Sequence, residues 1–206
     1  MDQGWWRMRF QVTVITTAVI VLMSGGLAWA ESAEEKGLAI AVEADHRDQG
    51  FTDSSATLEM ILTNRHGESS NRELRLKTLE ILDPNLGDKS LTIFDHPRDV
   101  KGTAFLSFTK IEEPDDQWLY LPALKRVKRI SSANKSGPFM GSEFAYEDLA
   151  SQEVAKYNYK WLIDDTLDGL ECFVVEQYTV YENSGYTKRV VWIDQKEFRP
   201  LKIEFY

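Results

Sequence analysis

Cysteine is almost missing: Cys172 is the only one in 206 residues. That excludes an intramolecular disulfide framework and any metal site built from clustered cysteines. Histidine is nearly as scarce. His46, His66 and His96 are far apart, and none stands at ligand spacing from another His or from Cys172. Positive charge is short as well, with 24 Lys plus Arg against 33 Asp plus Glu and a net charge of −9. Such a balance argues against nucleic acid as the partner, because backbone binding needs a cationic surplus. The sequence has no nucleophile-elbow glycine–serine motif, no phosphate-binding P-loop and no dinucleotide-binding glycine pattern, so neither an enzyme nor a cofactor is indicated. Asp95 and His96 are adjacent, but neighbours on a strand point to opposite faces, so they make a poor dyad. Asp164-Asp165 and Glu112-Glu113 sit among turn residues and read as solvated acids.

Long apolar runs are also lacking. The longest, Val12–Met23, is interrupted by threonines and falls short of the roughly 20 residues of a membrane-spanning helix. Arg7 and Arg9 precede it, and Ser24-Gly25-Gly26 and the small-residue pattern Ala28-Trp29-Ala30 follow. This is the order of a cleavable secretory signal peptide over residues 1–30. No cysteine follows Ala30 to carry a lipid anchor. The expectation is an exported, periplasmic protein with one domain over residues 31–206 and with Cys172 buried and inert.

What the chain does have is one helical signal and then many strands. Ser32 and Glu35 fit a capping box, which predicts a helix to about Asp48 with a narrow apolar stripe. From Ala56 the period becomes two. Ala56, Leu58, Met60 and Leu62 alternate with Thr57, Glu59, Ile61 and Thr63, then Leu74, Leu76 and Thr78 alternate with Glu73, Arg75 and Lys77 after the turn Asn64–Gly67. Further strands are predicted over 90–94, 102–110, 117–124, 157–163, 170–181, 187–193 and 200–206, separated by Gly, Asn, Asp and Pro turns. Short connections without long helices mean an antiparallel meander. The stretch Ser131–Gln152 does not alternate. It reads as a long loop with one or two helical turns after Tyr146, the kind of segment that carries function.

Several strands are apolar on both faces. Phe105, Phe108, Trp118, Tyr120, Tyr159, Trp161, Phe173 and Trp192 stand out, and a sheet with one face in water would not need them all. Two readings compete. In one, the sheet closes on itself and these side chains are ordinary core. In the other, it curves around an apolar cavity, closed by the helix and the loop 131–143, and these eight are candidate ligand-lining residues. A basic cluster, Lys125, Arg126, Lys128 and Arg129, contrasts with the acidic chain. It is either a solvated strand end or a docking patch for an acidic surface.

Several segments in order resemble the LolA-like proteins, the outer-membrane lipoprotein-sorting family. They are Asp48–Phe51, Gly102–Leu106, Gln117–Arg126 running on to Ile130, Phe139–Phe144 with Tyr146–Leu149, and Phe198–Lys202. The resemblance implies a mainly β fold: a strongly curved antiparallel sheet forming an incomplete β-barrel, with short helices and a loop over its concave apolar face. It implies a periplasmic carrier of lipid or acylated lipoprotein cargo, or an accessory to envelope lipid export. An inner-membrane exporter, an outer-membrane acceptor and transient membrane contact are the implied partners. The alternative is an envelope assembly module that binds no ligand. The resemblance also leads one to expect a further hairpin after Tyr206, without which the last strand is an unpaired apolar edge.

Overall fold

The structure, a computed structural model, describes residues 31–83 and 85–206. The expected signal peptide lies outside them. Helix α1 spans Ala33–Asp48 and is followed by ten strands in two antiparallel sheets. The first sheet is a continuous meander of β1 (Asp53–Thr63), β2 (Ser69–Leu79), β3 (Leu86–His96), β4 (Ala104–Lys110), β5 (Asp116–Leu121) and β6 (Arg126–Ile130). The second contains β7 (Tyr157–Leu167), β8 (Leu170–Thr179), β9 (Arg189–Asp194) and β10 (Pro200–Phe205), in the order β10-β9-β8-β7. Neither sheet closes into a barrel, and the mainly β, incompletely closed architecture is the one expected. Among the described residues no helix is long and apolar enough to cross a membrane.

α1 begins as its sequence predicts. The Ser32 hydroxyl accepts from the Glu35 N–H at 3.1 Å, and the Glu35 carboxylate accepts from the Ser32 N–H at 2.9 Å. Those two bonds satisfy amide groups that a helix start leaves without partners, and they hold the Glu35 carboxyl below the usual range. Its narrow buried stripe, Gly37, Ile40 and Ala41, lies on the second sheet. Ile40 and Ala41 meet Tyr157, Tyr159, Val175, Val191 and Ile193 there, the first of two apolar cores.

The second core forms between the meander and the segment from Ser131 to Lys156, the strap, which runs back across the inner face of the first sheet as short 3-10 turns. Leu74, Phe94, Phe105, Leu119 and Ile130 pack there against Phe139 of the strap. Strand bounds depart from expectation in several places, and β7 runs on to Leu167 through Asp164-Asp165, where a turn is expected. β3 starts before Ser90 and runs through Gly87-Asp88, where a break is expected, with a register irregularity between Leu86 and Lys89 that absorbs the glycine. The basic cluster also forms a strand of its own, β6, after a turn at Pro122–Leu124. Cys172 is fully buried, and burial raises its thiol above the ordinary value.

Candidate functional site

The strap is irregular backbone laid over an apolar sheet, so its amide groups need partners that neither helix nor ladder provides. The inner face of the sheet provides them. The Gln117 amide donates to the Tyr146 carbonyl at 3.1 Å, the Ser90 hydroxyl to the Leu149 carbonyl at 3.2 Å, and the Ser151 N–H to the Thr109 hydroxyl at 3.2 Å. Arg72 donates to the Met140 carbonyl at 2.7 Å. These bonds give partners to Ser90, Thr109 and Gln117, three of the polar side chains buried on this face. The strap also folds on itself. Phe139 N–H donates to the Phe144 carbonyl at 2.6 Å, and Met140 and Gly141 reverse the chain with φ of 51° and 77°. The Phe139 ring is anchored edge-on to Phe105 at 5.4 Å and to Tyr146 at 5.6 Å.

At the β1 end the strap does not fill the sheet. A cavity of about 490 Å³ remains between them, within the size range of small-molecule sites. Its floor is the inner face of the first three strands, with Leu58 and Met60 of β1, Leu74 and Leu76 of β2, and Thr92 of β3. Its wall is the strap, through Phe139, Phe144 and Leu149–Ser151. Among the described residues the lining includes two carboxylates, Glu59 and Asp148, and no lysine, arginine or histidine. Asp148 accepts from the Ala145 N–H at 2.7 Å and from the Tyr186 hydroxyl at 3.0 Å. Burial outweighs those bonds and raises its carboxyl above the ordinary aspartate value.

Beyond Asp148 lies a polar junction with the second sheet. Glu147 is buried and accepts from the Tyr181 hydroxyl at 3.0 Å, the Ser184 hydroxyl at 2.8 Å and the Gly185 N–H at 2.7 Å. The gap beside it measures about 10 Å³, room for about one water and nothing larger. Burial raises the hydroxyls of Tyr181 and Tyr186 far above the ordinary tyrosine value. Among the described residues no group of three or more His, Cys, Asp or Glu is placed to hold a metal ion.

The eight aromatic candidates are not among the residues that line this cavity. Phe105 is on the inner face but fully buried against Phe139. Phe108, Trp118 and Tyr120 lie on the opposite, outer face, where Phe108 and Trp118 meet edge-on at 5.2 Å. Tyr159 and Trp161 lie on the face of β7 that meets α1, with the Lys36 ammonium 3.5 Å from the Trp161 ring. Phe173 packs on Phe198 at 5.7 Å. Trp192 is beneath Lys202 on the second sheet and donates to Asp165. The loop 131–143 does contribute to the wall, through Phe139, whereas α1 packs on the other sheet. The aliphatic lining is what the candidate set lacks. Its signal was the plain alternation of Leu58, Met60, Leu74 and Leu76, which large aromatics outweighed. Of the basic cluster, Lys125, Arg126 and Lys128 are exposed, and Arg129 pairs with Asp116. Asp95 is held by Arg75 through two bonds of 2.6 and 2.9 Å, a structural pair rather than part of a dyad with His96.

A curved meander carrying a strap on its inner face is the fold of the LolA superfamily: a LolA superfamily protein from Nitrosomonas europaea superposes with a TM-score of 0.58 at 21% identity, over 86% of this chain and 72% of that one. A DUF1329 family protein from Desulfovibrio piger is nearer, with a TM-score of 0.78 and 29% identity over 85% of this chain and 74% of that one. An outer membrane lipoprotein-sorting protein domain from Vibrio parahaemolyticus is 61% identical, with a TM-score of 0.80 over 84% of this chain and 72% of that chain. A family model whose description reads "Uncharacterized protein" matches residues 87–206. No curated protein matches the chain. The chain belongs to the LolA-like outer membrane lipoprotein-sorting protein family.

Proposed function

We propose that this protein is a non-enzymatic periplasmic carrier that shelters the acyl chains of a lipid or lipoprotein on their way toward the outer membrane. The observation that carries the proposal is the apolar cavity of about 490 Å³ between β1–β3 and the strap. Each CH₂ exposed to water costs about 0.8 kcal/mol, so a hydrocarbon tail crosses an aqueous gap only inside a portable apolar shelter. The lining supports reversible use: its apolar side chains, Leu58, Met60, Leu74, Leu76, Phe139 and Phe144, bind by area and impose little geometry. The signal-peptide pattern of residues 1–30 and the name of the Vibrio parahaemolyticus relative agree with an envelope location. The two lining carboxylates disfavour an anionic head inside, so the buried part of the ligand is its uncharged tail.

The test is titration of delipidated protein with a fluorescent acylglycerol probe. Saturable binding is expected. Leu58→Asp places a charge on the cavity floor and should weaken binding at least about tenfold, the equivalent of about 1.4 kcal/mol. Trp118→Asp, on the outer face, should leave binding intact. Absent saturation, or binding indifferent to Leu58→Asp, would overturn the carrier reading in favour of an assembly module with no ligand.

A further inference from the structure

The two sheets end on four edge strands, and β1 differs from the other three. β6 has five residues and carries Arg126, Lys128 and Arg129. β10 has six and is bulged between Pro200 and Lys202. β7 is bulged between Trp161 and Ile163. Shortness, cations and bulges each keep an edge from pairing with another chain. β1 has none of them. Its eleven residues pair with β2 from Asp53 opposite Leu79 to Thr63 opposite Ser69, without a register shift. It holds no proline, lysine or arginine, and all of it but Met60 and Leu62 is exposed. Among the described residues no strand pairs with its outward edge. The cavity lies at this same edge, where Leu58 and Ile61 are exposed.

We propose that β1 pairs with β1 of a second copy, antiparallel about a two-fold axis beside Leu58. Directly opposed residues on antiparallel strands share a face, so an axis normal to the sheet must pass beside one residue. Leu58 is the midpoint of Asp53–Thr63, and only there do all eleven residues of both strands pair. The inner face then sets Leu58 against Leu58 and Met60 against Ala56, apolar against apolar, with Leu62 against Ser54 at the ends. The outer face sets Ile61 against Ser55. The two carboxylates of the strand each meet a hydroxyl that can donate, Glu59 that of Thr57 and Asp53 that of Thr63. Neighbouring registers are worse. An axis at Glu59 would oppose two Glu59 carboxylates, and one at Thr57 would set Ile61 against Asp53.

A second copy is the occupant because the strand matches itself. An isologous contact uses one patch twice and closes at two subunits. The outward N–H and C=O groups of β1, which have no ladder partner among the described residues, gain one across the seam. The axis normal to the sheet keeps both straps on one face of a sheet that runs through both copies. The two cavities then lie side by side at the seam, with the Leu58 of each floor opposed. The pairing does not require either cavity to hold lipid.

The experiment is analytical ultracentrifugation of the full chain over a range of concentrations. A monomer–dimer equilibrium is expected. Ser55→Glu with Ile61→Glu places like charges opposite each other across the seam and should raise the dimer dissociation constant at least about tenfold. Ser55→Glu with Ile61→Lys makes the same pairs attractive and should bring it back to within a few-fold of the unmodified chain. Ser55 and Ile61 lie about 20 Å apart along one strand, so within a single copy they do not meet. Residues 1–30 are common to all variants and cancel in the comparison. Should the acidic pair prevent folding, Leu58→Cys gives a second measurement. It stands opposite its own copy, within disulfide reach, and should form a covalent dimer on air oxidation. Ser54→Cys, whose copies lie far apart along the seam, should not. A monomer at every concentration, an assembly larger than two, or a dimer that responds alike to the two charge pairs overturns the proposal. So does cross-linking through Ser54→Cys as readily as through Leu58→Cys.

Discussion

Gly37 lies where α1 meets β7. A Cβ built there would be 2.7 Å from the Trp161 backbone nitrogen and 2.9 Å from the Lys160 carbonyl carbon. Helix propensity alone favours Gly37→Ala by about 1 kcal/mol. The contact is with backbone, which cannot swing aside, so the helix must lift from the sheet and the packing loss of about 1–3 kcal/mol prevails. Gly37→Ala is expected to lower the urea midpoint. A raised midpoint would show that α1 shifts freely on its sheet. In the sequence this glycine looks only like a weak point in a helix. Its reason is a long-range approach that local pattern cannot express.

At the scale of elements, the strap is the part that makes a site. It supplies one wall of the cavity and depends on the sheet for its hydrogen bonds. Gln117 is buried in that arrangement and donates to the Tyr146 carbonyl. Gln117→Leu preserves bulk and leaves that carbonyl without its donor, at an expected cost of about 1–3 kcal/mol. Denaturant melts measure the loss, and a neutral result would mean that the bond from Gln117 adds nothing to what Phe139 and the other strap contacts supply. The non-alternating stretch from Ser131 was legible as a segment apart. Its destination was not, because the polar residues that receive it, Ser90, Thr109 and Gln117, lie on three different strands and look like ordinary strand polarity until the sheet is assembled.

For the whole molecule, the two sheets and their separate cores meet through the strap. Glu147 binds the turn after β8, and Asp148 faces the cavity on one side and Tyr186 on the other. Burial raises the Asp148 carboxyl above its ordinary 3.8. The folded state therefore binds this proton more tightly than the unfolded chain does, and this group's contribution to stability falls as pH rises from about 4 through its folded pKa. Asp148→Asn removes the charge while its carbonyl oxygen can still accept both bonds. The difference in melting temperature, variant minus unmodified chain, should be more positive at pH 7 than at pH 4. An equal difference at the two pH values would show that Asp148 is effectively solvated.

Local physics was enough for the elements. The capping box started α1 at Ala33, and a period of two laid out the strands because side chains on a strand alternate whatever lies beyond it. The motif order was also enough for the family. Alternation, however, sorts residues onto two faces without saying which face is inner. Trp118 and Leu119 are equally apolar neighbours, yet one faces outward beside Phe108 and the other is buried in the strap core. Only the path of the strap breaks that symmetry. It gathers Phe94, Phe105 and Leu119 into a core, leaves Leu58 and Leu76 around an opening at the β1 end, and leaves Phe108, Trp118 and Tyr120 on the opposite side.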